Sequence, residues 1–395
     1  VFAYYNLGLI YEKLNNPELA KKNYKSAIEI EPLFIYSYNN MGIIYQKAGQ
    51  KEKAIKYFEK VVDIDPKNIN GYNNIGLVYS SLGIYDKAID YYLKTLSIDK
   101  DNIIALKSII FLMNYYTSKI NHPLIIANND LRLLQKNFAP SDLLKIENIS
   151  YIFKNSFKIL RKLSINIDHL DFFETQSYRR NPVDLNCEYH HKVFNHSKII
   201  PKFCFSCFKV QIDLKNVIDL IRLFFIFDNL NLSKNNQRKC MVEFRNNVSG
   251  LYKGMIYCSS FEEAKKILEQ ILPLLKKSFK FKADIKRGCS EFYNLFPNYK
   301  ITDSANKGFL NYDKKWEEIE KNLDIKQNFN TIKLNYSIPG LSISDILIIS
   351  HWLNYAKIIG DLTYKEIDLD FFDSKFIEHQ LLNQVEFRTK QFNIN

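Results

Sequence analysis

Apolar, aromatic and small residues return with a fixed period at the start of the chain. A shift of 34 residues brings Tyr4, Leu7, Gly8, Tyr11, Ala20, Tyr24, Ala27 and Pro32 onto Tyr38, Met41, Gly42, Tyr45, Ala54, Phe58, Val61 and Pro66. A second shift reaches Tyr72, Ile75, Gly76, Tyr79, Ala88, Tyr92, Thr95 and Lys100, where threonine and lysine replace the small residue and the proline. Inside each period the apolar positions fall three and four apart, which predicts two helices. Glycine and alanine let those helices approach, the aromatic rings fill the space between them, and proline stops the second one. Such self-similarity predicts stacked units that bury their apolar faces on one another. Ile103, Leu106, Ile109, Ile110 and Met113 predict a further helix over residues 102–118 that caps the open end.

This period and this order of aromatic, small and proline positions resemble the tetratricopeptide repeat family over residues 1 to about 100. The resemblance implies an α-solenoid, here residues 1–118, that binds an extended peptide or partner protein and performs no chemistry. It also implies that the first helix of each repeat lines the concave surface. Asn6, Asn40 and Asn74 recur there at equivalent positions, with Tyr5, Leu9, Asn39, Ile43, Asn73 and Leu77 beside them. A carboxamide carries both a donor and an acceptor, so an asparagine ladder suits the main chain of a bound peptide whatever its side chains. These groove positions are neutral, and no lysine clamp for a C-terminal carboxylate is apparent.

Residues 119–186 read as a helical connector, with a turn at Asn121-His122-Pro123 and a helix from about Pro140 to Leu163 capped by Ser141. The helical pattern breaks at Tyr178-Arg179-Arg180-Asn181-Pro182. From Phe208 the period changes to two. Strands are expected at Lys209–Leu214, Lys239–Arg245, Tyr252–Cys258 and Phe281–Arg287, with helices at Asn216–Leu230 and Phe261–Phe279 and a turn at residues 246–250. That βαββαβ order over residues 208–300 predicts a ferredoxin-like α+β domain. Its core face would carry Val210, Ile212, Val242, Phe244, Ile256, Cys258, Ala283 and Ile285. Residues 301–395 read as helical: a short acidic helix bearing Trp316, an apolar helix at Ser344–Ile359 ended by Gly360, and a last helix at about Asp373–Gln391. Asp368, Asp370 and Asp373 lack the spacing and glycine of a cation loop.

All six cysteines lie beyond residue 186. At 395 residues a disulfide framework is not expected, and a reducing cytoplasm fits best. No signal peptide opens the chain, and Val1 falls inside a repeat, so a targeting segment or further repeats preceding it would not be visible. No apolar run is long enough to span a bilayer. Cys187 and His190, then Cys204 and Cys207, form two short chelating pairs separated by a loop, which predicts a closed tetrahedral zinc module at residues 187–207. His191 or His196 can replace His190, and an iron–sulfur cluster is the alternative for the same residue types. Cys289 follows Lys286-Arg287-Gly288. A cation beside a thiol can make a nucleophile, but a small buried residue after a turn glycine is the simpler reading, as for Cys240 and Cys258.

The net charge of +12 is concentrated in residues 187–300, where twenty lysines and arginines face ten carboxylates. The face of the sheet opposite the core would present Lys209, Arg245, Lys253, Tyr257 and Lys286. Its basic character and a partial likeness of Lys253–Tyr257 to an RNA-recognition strand make nucleic-acid binding the alternative function. Against it, Met255 stands where a stacking ring belongs, and cover by the zinc module or by the C-terminal helices is the competing expectation for this face. An enzyme of unstated reaction ranks third, and no catalytic residue is assigned.

Overall fold

The computed structural model describes residues 1–163, 173–179, 187–245, 248–322, 337–367, 371 and 374–394. The chain divides into two units, the first being residues 1–125 and the second beginning at Ile126.

The first unit is a run of antiparallel helices: α1 (Phe2–Lys13), α2 (Pro17–Ile30), α3 (Ile35–Lys47), α4 (Lys51–Ile64), α5 (Ile69–Ser81), α6 (Tyr85–Ile98) and α7 (Ile103–Met113). Each packs on the next in sequence, as a solenoid of nearest-neighbour units requires. Asn16 caps α2, whose first residue is Pro17, and Asn68 and Asn102 cap α5 and α7 with side-chain hydrogen bonds. α7 ends five residues before the expected cap boundary.

The repeated glycine has a steric cause. A methyl group on Gly42 would lie 2.5 Å from Cε1 of the fully buried Phe58, and Gly8 and Gly76 meet Tyr24 and Tyr92 in the same way. Gly42→Ala gains about 1 kcal/mol of helix propensity but incurs overpacking of about 1–3 kcal/mol. The expected result is a net loss of about 1 kcal/mol, seen as a lower thermal midpoint; a stabilised variant would show that the ring can move aside.

The second unit is built on one sheet. Its elements are α8 (Pro123–Lys136), α9 (Ile146–Arg161), β1 (Gln176–Arg179), α10 (Cys187–Ser197), β2 (Phe208–Leu214), α11 (Val217–Asn229), β3 (Arg238–Val242), β4 (Tyr252–Cys258), α12 (Phe261–Ser278), β5 (Phe281–Arg287), α13 (Lys314–Asn322), α14 (Ile343–Ile359), α15 (Lys375–Leu381) and α16 (Val385–Ile394). The strand order is β1-β3-β4-β2-β5, and every pairing is antiparallel. Register places Val210 opposite Ile256 and Ile285, so these side chains share one face. α11 and α12 pack there: Gly254 admits Leu223 and Phe227 of α11, and Phe208 meets Phe261 of α12. Val210, Ile212, Val242, Ile256 and Cys258 are buried as the alternation predicts, while Phe244, Ala283 and Ile285 are half-buried.

Four elements differ from the sequence reading. The expected connector carries a strand, β1, which joins the sheet beside β3. The expected helix from Pro140 is a single turn at Asp142–Leu144 followed by α9, because Lys145 adopts an extended backbone and Ser141 makes no cap bond. β3 ends at Val242, short of Arg245, and Asn246 and Asn247 of the expected turn lie outside the described residues. The last helix is two, α15 and α16, separated by a turn at residues 382–384. Asp368, Asp370 and Asp373 also lie outside the described residues.

α14 behaves as its sequence dictates. Ser342 and Asp345 form a reciprocal capping box at its start, Gly360 closes it with φ +87°, and nearly every side chain between is buried.

Candidate functional sites

In the first unit the asparagines of neighbouring first helices meet. Asn74 Nδ2 donates to Asn39 Oδ1 at 2.9 Å, linking α5 to α3. Asn40 Nδ2 donates to the hydroxyl of Tyr24 at 3.2 Å and lies 3.5 Å from the hydroxyl of Tyr5 on α1. Tyr24 in turn donates to Glu12 at 2.8 Å, and burial together with that carboxylate holds its pKa well above the ordinary phenol range. Asn6 is exposed, Asn39, Asn40 and Asn74 are half-buried, and Leu77 is exposed. Leu9 and Tyr5 pack on the cluster around Tyr24, and Ile43 on the cluster around Phe58. Asn73 is not available to a ligand. It is buried, accepting from Thr95 Oγ1 at 3.0 Å and donating to Asn102 at 3.3 Å. Its place one position from the ladder turns it into the packing between α5, α6 and α7.

In the second unit the sheet face opposite α11 and α12 is also covered. α10 and residues 288–291 lie over it and enclose a cavity of about 350 Å³ lined by Cys187, His191, Lys209, Lys239, Tyr257 and Cys289 among others. The residues expected to meet nucleic acid are mostly spent inside. Lys253 is fully buried and pairs with Glu243 at 2.8 Å; Lys209 is buried and donates to the carbonyl of Gly288 at 2.9 Å. Tyr257 and Lys286 are half-buried, and the exposed Arg245 pairs with Glu243 and Glu291. Arg245 and Lys253 are thus held by carboxylates, and Lys209 by a carbonyl, of the same unit. Lys239 donates to Gln176 Oε1 at 2.8 Å and is pushed down to about 8, first by burial and then by Lys209 and Arg245.

The thiols converge beside this cavity. Cys204 and Cys207 lie on a tight turn at residues 202–207, closed by Cys207 N–H to Cys204 O at 3.2 Å and anchored by Tyr299 O–H to Cys204 O at 2.6 Å. Gly288 N–H donates to Cys207 O at 2.9 Å, and a side chain on Gly288 would strike Cys207 Sγ. Cys187, the first residue of α10, lines the cavity with Cys207 and Cys289, and Cys204 and Cys289 share a buried cluster with Phe292 and Tyr299. Burial pushes the Cys207 thiol up to about 11. His190 turns its ring onto Phe203, nearly parallel at 5.1 Å between centroids, and His196 is exposed. His191, Cys289 and Glu291 bring their ligand atoms within 4.8 Å of one another. Cys289 stands far from Cys187 and Cys207 in sequence, and the end of β5 brings it to the cavity that they line.

Residues 1–33, 35–68 and 69–102 each match the family described as "Tetratricopeptide repeat", and the first unit is an array of three such repeats. Among solved structures the chain is similar to the MamA protein at 32% identity, covering 25% of this chain and 54% of that one, with a TM-score of 0.24. It is also similar to YrrB, "a TPR protein with an unusual peptide-binding site", at 26% identity over 27% of this chain and 54% of that one, TM-score 0.26. A third similarity is to the N-terminal domain of stress-induced protein-1 from C. elegans, at 24% identity over 27% of this chain and 89% of that one, TM-score 0.26. The chain thus spans about half the length of MamA and of YrrB. No curated protein matches the chain. No helix among the described residues is long and apolar enough to cross a membrane.

Proposed function

We propose that the chain is a protein-interaction scaffold whose repeat groove holds an extended segment of a partner protein through Asn6, Asn40 and Asn74, with Tyr5, Asn39 and Leu77 at its margin. The observation that carries this reading is the amide row from α3 to α5, where Asn39 is within hydrogen-bonding reach of both Asn74 and Asn40 and all three remain partly exposed. Amides held in a row match the repeat of peptide main-chain donors and acceptors.

The Asn6→Ala, Asn40→Ala, Asn74→Ala triple variant tests it. Main-chain hydrogen bonds of about 0.5–1.5 kcal/mol each predict that partner affinity falls by roughly ten-fold to a thousand-fold, with little dependence on salt because the groove is neutral. Identical partner sets captured by wild type and variant would assign binding to another surface.

In this reading the second unit is a ferredoxin-like α+β domain, supported by the βαββαβ order and by both crossover helices lying on one face. It carries one structural zinc ion at Cys187, His190, Cys204 and Cys207, supported by the tight turn that bears Cys204 and Cys207 and by Cys187 and Cys207 lining one cavity from separate segments. The six free thiols suit a reducing compartment such as the cytoplasm.

A further inference from the structure

We propose that His191, Cys289 and Glu291 bind a divalent ion of the zinc class, whose remaining coordination position opens on the cavity over the sheet and takes a small oxyanion beside Lys209 and Lys239. The inference shares no ligand with the structural zinc proposed above and stands without it.

Geometry comes first. The ligand atoms of His191, Cys289 and Glu291 lie within 4.8 Å of one another, and all three side chains line the cavity of about 350 Å³. A zinc ion with bonds of about 2.0–2.3 Å holds its ligand atoms roughly 3.3–3.8 Å apart. Closing that difference asks only for small side-chain movements, because His191 is half-buried and Glu291 is exposed. Two of the ligands come from one segment, since Cys289 and Glu291 flank Ser290 just beyond the end of β5. The third comes from α10, and its ring packs against Phe292 with centroids 5.8 Å apart. Arg245 orients the carboxylate: Glu243 fixes its guanidinium through two bonds of 2.9 Å, and its Nη1 donates to Glu291 Oε1 at 3.2 Å. Ligating carboxylates are ordinarily held by such an outer partner.

Chemistry narrows the ion and its outside ligand. A thiolate with an imidazole selects zinc-like ions over magnesium or calcium, which take oxygen ligands. Three protein ligands leave a tetrahedral ion one position for a molecule from outside. One thiolate and one carboxylate neutralise the dication, so these ligands do not answer the charge of the cavity's lysines. Lys209 is buried and donates to the carbonyl of Gly288 at 2.9 Å, and the half-buried Lys239 donates to Gln176 Oε1 at 2.8 Å. Both acceptors are neutral. Two ammonium groups lining one cavity favour an anion there, and an oxyanion offers one oxygen to the metal and others to the lysines.

The test uses the full chain. Zinc analysis should find one equivalent fewer in His191→Ala and in Glu291→Gln than in wild type. Glu291 is exposed, so its variant removes a ligand without disturbing the core. Cobalt loaded into the chelated wild type should change its visible absorption when inorganic phosphate is added, because only a site with an open position admits it. That response should vanish in Glu291→Gln, and Lys239→Met should keep the metal while weakening phosphate roughly ten-fold to a hundred-fold. Zinc content unchanged in both His191→Ala and Glu291→Gln would overturn the site. So would one equivalent lost by His191→Ala and Cys204→Ser alike but kept by Glu291→Gln, which would assign His191 to the cysteine pairs and leave the structural zinc reading standing. A cobalt spectrum indifferent to phosphate, or a phosphate affinity that Lys239→Met leaves unchanged, would overturn the open position and its anion.

Discussion

Lys253→Ala is expected to destabilise the second unit by about 3 kcal/mol, because it leaves the Glu243 carboxylate buried without its closest cation. At this unit size the thermal midpoint should fall by roughly 6–12 °C. Glu243 retains Arg245, whose guanidinium holds both carboxylate oxygens at 2.9 Å, so the loss stays at the lower end of the range for a broken buried pair. The pH dependence follows from the same geometry. Burial raises the Glu243 pKa, but the bonds from Arg245 and Lys253 outweigh it and bring the group down to about 2 from an ordinary 4.5. A folded-state value below the unfolded one contributes stability that is fully present above about 4.5 and is lost as pH falls toward 2. Without Lys253 the carboxyl protonates sooner, so the variant should unfold in milder acid than wild type. Lys253→Met with Glu243→Met should recover part of the loss, since two apolar side chains leave no stranded charge. Urea unfolding from pH 7 to pH 3 checks all three; an unchanged midpoint for Lys253→Ala would mean that water reaches Glu243.

What the sequence revealed follows the range of the interactions involved. The 34-residue period is legible because each repeat contacts only its neighbours, so Gly42 and Phe58 sit within one unit of the pattern. The strand faces are legible because alternation is local, which is why Val210, Ile212 and Ile256 were assigned to the core. What lies over the other face is not local. Lys253 alternates as an outward residue, and nothing in its neighbourhood announces that Glu243 and the 250 turn close over it. β1 offers only four residues and pairs with a strand far along the chain, Gln176 with Met241 and Arg179 with Arg238. Asn73 looks equivalent to Asn39 by period, yet the threonine that breaks the third repeat at Thr95 captures its amide. The departure from the repeat pattern was visible; the partner it selected was not.

The second large effect concerns Arg179, on the strand that the sequence did not reveal. Its guanidinium is buried, 3.2 Å from Asp228 of α11 and 2.8 Å from Asp345 of α14, and 4.2 Å from the Phe224 ring centre. Gln135 of α8 and the Gly340 N–H both donate to Asp228 at 2.8 Å, and Ser177 donates to Asp345 at 3.0 Å. Arg132 supplies the second buried cation, and burial above all lowers its pKa to about 10. Two arginines thus balance two aspartates at the point where α8, β1, α11 and α14 meet. Arg179→Met leaves two buried carboxylates for one cation and should cost about 3–5 kcal/mol. Arg179→Lys keeps the charge, but a single ammonium cannot span both aspartates as a planar fork does, so it should recover only part of the loss. Arg179→Met with Asp345→Asn should recover part by another route, limited because Asp345 also receives the Ser342 N–H and hydroxyl in the α14 capping box. Denaturant titration distinguishes these outcomes through the midpoint at constant slope. If lysine proved as good as arginine, charge balance alone would hold the node; if methionine proved as good, the packing of Trp352 and Phe224 would suffice to position β1.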